Sequence, residues 1–225
     1  MPIVVFDVYG TLLDVYSVQK LLEKIFPNKG KEISILWRDK QIEYTRLIAM
    51  SNKEILYKSF WQVTVDALDF SLKRLKVSCD QMDRKRILDS YLSLSVFSES
   101  FDVLSNLKEK KFTLAVLSNG NFEMLTTALN HSKIFNFFDN VFSAEKVFSY
   151  KIDPQVYGLV ESHYGLSPDN YLLVSSNFWD ITGGGWYGFK TFWVNRTNSP
   201  MENLGYSPNK VGNNLYDLVK YLEKT

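Results

Sequence analysis

Three charged residues have the surroundings expected of a reactive centre: Asp7, Lys151 and Asp180. Asp7 ends an apolar run, residues 3–6, that is typical of a buried strand, and a turn through Gly10 follows at once. An unpaired ionised carboxylate is costly to bury. Asp7 therefore either caps this turn or has a positive partner and does chemistry. Since a lysine beside two carboxylates keeps them ionised at neutral pH, we predict that Lys151 is the counter-ion of Asp7.

Short apolar runs separated by helix-like stretches would position these residues. Strands that alternate with helices predict βαβ units, and buried parallel strands read as near-continuous apolar runs. The predicted strands are residues 3–6, 113–117, 140–142, 171–174 and 191–194. The predicted helices are residues 99–110, 122–130, 154–164 and 179–186. The predicted fold class is α/β, with a Rossmann-like parallel sheet at its core.

The stretch between the first and second predicted strands breaks this alternation. Residues 15–94 show helical periodicity and no convincing strand. We predict that they form a helical cap subdomain inserted into a core of residues 1–14 and 95–225.

Polar side chains follow every predicted strand that should meet at the ligand crevice, which lies beyond the carboxyl ends of the strands in an open parallel sheet. Strand ends are also polar simply because they reach water. This set is nevertheless biased toward two carboxylates, one lysine and short hydroxyl or amide groups. It comprises Asp7, Tyr9, Thr11, Ser118, Asn119, Lys151, Ser175, Ser176, Asn177, Trp179 and Asp180.

The composition is typical of a globular intracellular protein. The 225 residues include 26 Lys plus Arg and 25 Asp plus Glu, without the basic stripe of a nucleic-acid-binding protein. The single cysteine, Cys79, fits a reducing compartment, and no apolar run has the length of a membrane span. Cys79, His131 and His163 have no partners at catalytic or metal-ligand spacing. We expect a cytoplasmic protein that binds neither nucleic acid nor membrane.

Four short motifs give the chain a resemblance to a known family. FDVYGTLLD, VLSNG, YKIDP and SSNFWD, in this order, resemble the four motifs of the haloacid dehalogenase superfamily, and more narrowly those of its L-2-haloacid dehalogenases. The segment WRDKQIEYTRL is similar to this family's cap signature around a substrate-binding arginine. The likeness covers essentially the whole chain.

The resemblance implies hydrolytic dehalogenation of short L-2-haloacids to D-2-hydroxy acids and halide. Asp7 would attack C2 and form an ester, and water activated by Asp180 would hydrolyse it. Lys151 would bridge the two carboxylates and Ser175 would orient Lys151. The implied catalytic residues are Asp7, Lys151, Asp180, Thr11, Arg38, Ser175, Asn177 and Tyr157. The implied substrate-binding residues are Tyr9, Ser118, Asn119, Arg38, Trp179, Ile42 and Phe60.

The same motifs predict a reaction without metal or cofactor. Phosphatases of the superfamily have an acid two residues after the nucleophile and bind Mg²⁺ through carboxylates of the first and fourth motifs. This chain has Tyr9 and Ser176 at those positions, and a halide needs neither a proton nor a metal to leave. Two alternatives stay open: a Mg²⁺-dependent small-molecule phosphatase, and a non-catalytic interaction protein on this fold.

Two segments depart from the family pattern. Ile152 stands where the family usually has proline, and we expect it to loosen the loop that holds Lys151. Three glycines occupy residues 183–185, and each weakens a helix by roughly 1 kcal/mol relative to alanine. We therefore expect the helix after Asp180 to start late or fray. The resemblance also implies a homodimer formed through the cap helices.

Overall fold

The computed structural model describes residues 1–51 and 53–224, and its centre is a parallel sheet of six strands. The strands along the chain are β1 (Ile3–Phe6), β2 (Leu13–Asp14), β3 (Ser95–Val96), β4 (Leu114–Ser118), β5 (Asn140–Ser143), β6 (Tyr171–Ser175), β7 (Lys190–Val194) and β8 (Lys210–Gly212). The helices are α1 (Gln19–Ile25), α2 (Gly30–Ser51), α3 (Phe60–Arg74), α4 (Gln81–Tyr91), α5 (Ser100–Glu109), α6 (Phe122–His131), α7 (Pro154–Tyr164), α8 (Phe178–Tyr187) and α9 (Leu215–Leu222). The predicted α/β class is confirmed.

The sheet brings together the ends of the three strands that precede the predicted site residues. Its order is β5-β4-β1-β6-β7-β8, and every neighbouring pair is parallel. β1 lies between β4 and β6, and all three strands are buried along their whole length. β4 and β5 lie on one side of β1, and β6, β7 and β8 lie on the other. The direction in which strands are added therefore reverses at β1, and the crevice beyond such a reversal is the expected position of a ligand.

Helices α1 to α4 fill the segment between β2 and β3. Within the described residues of 15–94 there is no strand, as the periodicity predicted. At the two ends of the segment, β2 and β3 pair antiparallel, with Leu13 opposite Val96 and Asp14 opposite Ser95. We call residues 15–94 the helical insert and retain these bounds as a proposal.

Buried aromatic rings join the helical insert to the sheet. The ring of Tyr9, just after β1, lies 5.7 Å from that of Tyr91 and 5.4 Å from that of Phe60. The ring of Trp37 lies 5.1 Å from that of Tyr91. Rings of this size dominate the energetics of a core, so they hold α2, α3 and α4 over the carboxyl end of β1.

Helix α8 begins at Phe178, before Asp180, so the late start expected from the glycines is wrong. The glycines lie where there is no room for a side chain. A Cβ at Gly183 would lie 2.6 Å from both Ile152 Cγ2 and the Tyr157 hydroxyl oxygen. The neighbouring glycines at 184 and 185 are packed in the same way, against Leu173 and Tyr206. Close packing against these side chains offsets the low helix propensity of glycine.

The last strand and the last helix were missed in the sequence. β8 pairs with β7 and α9 packs beside it and against α5. A strand of three residues gives too short a pattern for periodicity to detect. None of the helices in the described ranges is long and apolar enough to cross a membrane.

Candidate active site

A small pocket lies beyond the carboxyl end of β1, between the sheet and the helical insert. Its cavity volume is only about 10 Å³. Eight predicted site residues and one that was not predicted line it: Asp7, Tyr9, Arg38, Ile42, Thr45, Phe60, Ser118, Asn119 and Trp179. The other six predicted residues are grouped around the Asp7 carboxylate and its partners: Thr11, Lys151, Tyr157, Ser175, Asn177 and Asp180.

The two carboxylate oxygens of Asp7 are bound unequally. Oδ2 accepts hydrogen bonds from Thr11 Oγ1 at 2.8 Å and from Asn177 Nδ2 at 2.9 Å. It also lies 3.4 Å from the donating hydroxyl of Ser175. Oδ1 has a single donor among the described residues, Lys151 Nζ at 3.3 Å. Asp7 is only 4% exposed, so these donors replace water around its charge.

Lys151 bridges two buried carboxylates. Its Nζ lies 2.8 Å from Asp180 Oδ2 and 3.3 Å from Asp7 Oδ1. Burial opposes the charge of the ammonium, but Asp180 and Asp7 outweigh it and raise the pKa of Lys151. Burial raises the pKa of Asp180, against the pull of Lys151 and a 3.0 Å hydrogen bond from the Tyr157 hydroxyl to Oδ1. Lys151 therefore stays charged and is the counter-ion of both carboxylates.

The Ser175 hydroxyl has a different partner from the one expected. It donates to Asp7 Oδ2 and accepts from Asn177 N at 3.1 Å, and none of its described contacts involves Lys151. The register of the sheet explains this difference. Phe6 of β1 pairs with Val174 of β6, so the next residues along each strand, Asp7 and Ser175, lie side by side.

Asn119 fixes the backbone of the lysine loop. Its Oδ1 accepts a 2.8 Å hydrogen bond from Lys151 N. The Ile152 side chain packs where Gly183 leaves space. With Ile152 in place of proline, Lys151 still reaches Asp7 and Asp180, and this hydrogen bond, this packing and the ion pairs all hold the loop.

Helix α2 supplies a cation and an apolar wall. Arg38, Ile42 and Thr45 are spaced i, i+4 and i+7, so they lie on one face of the helix and all line the pocket. Arg38 is 7% exposed, and its Nη2 donates to the Tyr9 carbonyl oxygen at 3.2 Å. Thr45 was missed in the sequence, although its spacing from Arg38 was a signal that could have found it.

Two hydroxyls that line the pocket are available as donors. Ser118 Oγ accepts from Gly120 N at 3.2 Å, and no described group accepts the hydrogen of Ser118. The buried hydroxyl of Tyr9 has no partner in the described part of the chain. Burial raises the pKa of Tyr9, so this hydroxyl stays protonated. An unsatisfied buried hydroxyl costs about 1–3 kcal/mol, so a ligand that accepts these hydrogens would be stabilised.

Side chains with the chemistry of metal ligands are not clustered elsewhere. Within residues 1–51 and 53–224, no group of three or more His, Cys, Asp or Glu could hold a metal ion. Cys79 lies in the helical insert, where burial raises the pKa of its thiol. His163 packs edge-on against Tyr164, with 4.7 Å between the ring centres.

The fold and the site together define a class of hydrolase. Its features are the parallel sheet, the helical insert, and an aspartate that follows β1 and lies beside a buried lysine. The family model described as "haloacid dehalogenase-like hydrolase" matches residues 1–188. The chain belongs to this family.

Within the family, the chain is similar to enzymes that act on 2-haloacids. It is 41% identical to the (S)-2-haloacid dehalogenase of Pseudomonas sp. (strain YL), over 98% of this chain and 94% of that one. The crystal structure of the L-2-haloacid dehalogenase RSc1362 has a TM-score of 0.96 at 41% identity, covering 99% of both chains. That of the Xanthobacter autotrophicus L-2-haloacid dehalogenase with chloropropionic acid covalently bound has a TM-score of 0.90 at 31% identity, over 99% of this chain and 98% of that one.

Proposed function

We propose that this protein hydrolyses short L-2-haloacids to D-2-hydroxy acids and halide, through an ester on Asp7 and without a metal ion. The observation that carries the proposal is the buried cluster of Asp7, Lys151 and Asp180 beside a pocket that Arg38 lines from the helical insert. A relative named (S)-2-haloacid dehalogenase, and a similar structure with chloropropionic acid covalently bound, support it.

In the first step, Asp7 Oδ1 attacks C2 of the haloacid. A C2–Oδ1 bond forms while the carbon–halogen bond breaks, and the electron pair of the broken bond leaves with the halide. We assign the attack to Oδ1 because Oδ2 is held by three donors, whereas among the described residues Oδ1 has only Lys151, at 3.3 Å. Attack opposite the halogen inverts C2, which converts an L substrate into a D product.

The halide would leave toward Arg38, Asn119 and Trp179, which all line the pocket. Arg38 is almost fully buried, so water screens its charge little. Donors preorganised in this way are worth on the order of 10²–10³ in rate. The departing halide is a stable anion, so the reaction does not need an acid at the position of Tyr9.

The rest of the substrate would occupy the remaining walls. Its carboxylate would accept hydrogen bonds from the Ser118 hydroxyl and from the amides of the turn after Asp7, and the free hydroxyl of Tyr9 would be a further donor. Its alkyl group would contact Ile42 and Phe60. The cavity volume of about 10 Å³ is small for a ligand site, which favours short haloacids.

In the second step, water attacks Cγ of the ester. Asp180 accepts a proton from the water, and negative charge builds on Oδ2, where Thr11, Asn177 and Ser175 donate hydrogen bonds. The Cγ–Oδ1 bond then breaks, and the proton returns to Oδ1 as the hydroxyl of the product. One oxygen from water stays in Asp7, and the second proton of that water is released to solvent, so the carboxylate is restored.

The ammonium of Lys151 already balances charge that a divalent cation would otherwise balance. It lies within 3.3 Å of both carboxylates, so they would attract such a cation less strongly. Mg²⁺ prefers carboxylate and phosphate oxygens in an octahedral arrangement, and Ser176 supplies no carboxylate at the fourth motif.

Chloride release from L- and D-2-chloropropionate, with and without EDTA, tests the proposal. We expect release from the L isomer alone, at a rate that chelation does not change. Asp7→Asn should keep the fold and release no chloride. Turnover by Asp7→Asn at the wild-type rate would remove Asp7 as the nucleophile. Phosphate release from p-nitrophenyl phosphate that requires Mg²⁺, with no chloride release, would favour a phosphatase instead.

We further propose that the protein is a cytoplasmic homodimer that pairs through the helical insert. Large apolar side chains of the insert are exposed, among them Leu47, Met50, Ile55 and Leu56, and a second copy would cover them. Light scattering coupled to size exclusion should give twice the chain mass of 26.1 kDa. A monomer at micromolar concentration would contradict this proposal.

A further inference from the structure

Arg196 lies outside the pocket but joins several segments that surround it. It follows β7 by two residues, and its side chain is only 17% exposed. Nη1 donates to Ser176 Oγ at 2.6 Å, and Nη2 donates to the Thr11 carbonyl oxygen at 3.0 Å. Nη2 also pairs with Glu99 Oε1 at 2.7 Å, and the guanidinium lies 3.9 Å from the ring centre of Phe97. Four partners at this depth hold the guanidinium in one orientation.

Two of these contacts lead directly to Asp7. Ser176 N donates to Thr11 Oγ1 at 2.8 Å, and Thr11 Oγ1 donates to Asp7 Oδ2 at 2.8 Å. The residue after Ser176 is Asn177, whose side chain is the second donor to Oδ2. Arg196 therefore holds both segments that supply donors to this oxygen, the turn after β1 and the loop after β6.

The other two contacts lead to the return segment of the helical insert. Glu99 and Phe97 follow β3, and Phe97 N donates to the Leu12 carbonyl oxygen at 3.0 Å. Leu12 is the neighbour of Thr11 in the turn after β1. The position of the insert and that of the Oδ2 donors thus depend on the same guanidinium.

We propose that Arg196 is a positioning residue for hydrolysis of the Asp7 ester, acting through Thr11 and Ser176 on the donors to Oδ2. The inference rests on the proposed function. In the first step, the Asp7 carboxylate loses its charge as the ester forms, so strong donors on Oδ2 do not speed the attack. In the second step, charge returns to Oδ2, and the same donors stabilise it. Loosening them should therefore slow hydrolysis selectively.

Arg196→Lys and Ser176→Ala loosen this arrangement in two ways. Lysine keeps the charge but loses the planar fork that reaches several acceptors at once. Ser176→Ala removes one oxygen that accepts a hydrogen bond from the Arg196 guanidinium, and it changes the volume of the side chain little. Arg84→Lys is the matched control, because Arg84 makes a forked pair with Asp69 in the helical insert, with both hydrogen bonds at 2.8 Å.

Rapid-quench measurement of chloride, with intact mass of the enzyme, separates the two steps with L-2-chloropropionate as substrate. For Arg196→Lys we expect a burst of about one chloride per site, accumulation of the ester and a fall in the hydrolysis rate of at least tenfold. Removing one oxyanion donor slows a reaction by roughly 10²–10³, and loosening such a donor should cost part of that factor. Ester formation should change less than twofold. Ser176→Ala should change hydrolysis in the same direction, and Arg84→Lys should behave as wild type.

Equal slowing of both steps would overturn the proposal, because it would indicate a purely structural role. Wild-type hydrolysis in both variants would also overturn it. If Arg196→Lys does not fold, Ser176→Ala decides: accumulated ester supports the proposal and its absence overturns it. A wild-type enzyme that forms no ester with any 2-haloacid would refute the proposed function itself, a result that is distinct from a failure confined to the variants.

Discussion

Removing the ammonium of Lys151 should destabilise the fold more than any other single charge deletion in the site. In Lys151→Met the side-chain length is kept, but Asp7 and Asp180 both lose their shared counter-ion. These carboxylates are 4% and 0% exposed, so water cannot replace it. Breaking a buried ion pair from one side costs about 3–5 kcal/mol, against a total stability of about 5–15 kcal/mol for a typical domain.

The loss of stability in Lys151→Met should depend on pH. Burial raises the pKa of Asp180 in the folded protein, and without the ammonium the main opposing influence on that pKa is gone. A group with a raised folded pKa contributes stability at low pH and loses it as the pH rises through that folded pKa. Lys151→Met should therefore be closer to wild type at pH 5 than at pH 7.5. In the double variant Lys151→Met/Asp180→Asn, about 0.5–3 kcal/mol should be recovered, without any recovery of chloride release.

Urea unfolding followed by circular dichroism, at the two pH values, measures these differences. Lys108→Met is the matched control, because Lys108 pairs with Asp139 at 2.8 Å with side chains 33% and 40% exposed. Such a surface pair is worth about 1 kcal/mol or less. A Lys151→Met protein within about 1 kcal/mol of wild type, or a loss that is equal at both pH values, would refute the reasoning.

Three further substitutions test other parts of the site. Tyr157→Phe removes a hydrogen bond that lowers the pKa of Asp180, and since Asp180 acts ionised, the acid limb of kcat should move to higher pH. Gly183→Ala places a Cβ 2.6 Å from Ile152 Cγ2. We expect Gly183→Ala to lower the free energy of unfolding measured in urea, because overpacking costs about 1–3 kcal/mol and the gain in helix propensity is only about 1 kcal/mol. Adding Ile152→Ala should recover part of this lost stability. Thr45→Leu narrows the pocket, so kcat/KM should fall about tenfold more for L-2-chlorobutyrate than for chloroacetate.

Each of these substitutions has a control or a contrary result. Gly158→Ala places its Cβ 3.3 Å from the Tyr187 hydroxyl, and it should cost less than Gly183→Ala. Tyr164→Phe removes a hydrogen bond from Asn140, outside the site, and it should leave the pH profile unchanged. An unmoved acid limb in Tyr157→Phe would contradict the first prediction. A Gly183→Ala protein as stable as wild type would contradict the second, and equal losses on the two haloacids would contradict the third.

The candidate site was largely recognisable from local patterns. Asp7, Ser118 and Ser175 stand at or just after the ends of apolar runs, and parallel strands bring such ends to one edge of a sheet. The similarity of WRDKQIEYTRL to the family's cap signature added Arg38, which periodicity alone would leave as one more charged residue on a helix. Such patterns depend on neighbours within a few residues, so they are readable before the chain folds.

Other features depended on contacts between distant parts of the chain. The glycines at 183–185 suggested a frayed helix, but the helix is continuous because Ile152 and Tyr157 fill the space beside Gly183. Ser175 contacts Asp7 rather than Lys151 because of the register between β1 and β6. The contacts of Arg196 could not be read from the sequence, since its partners Thr11 and Glu99 are 185 and 97 residues away.

The sequence by itself determined the fold class, the helical segment between the first two sheet strands and the residue types available for chemistry. Hydrophobic period and strand-end polarity are local properties, and they specify these features directly. Only the tertiary structure decided which oxygen of Asp7 each donor binds, and that the Ser175 hydroxyl contacts Asp7 rather than Lys151. Those assignments depend on distances between groups far apart in the chain, and these distances are set only when the helices pack on the sheet and the strands pair in register.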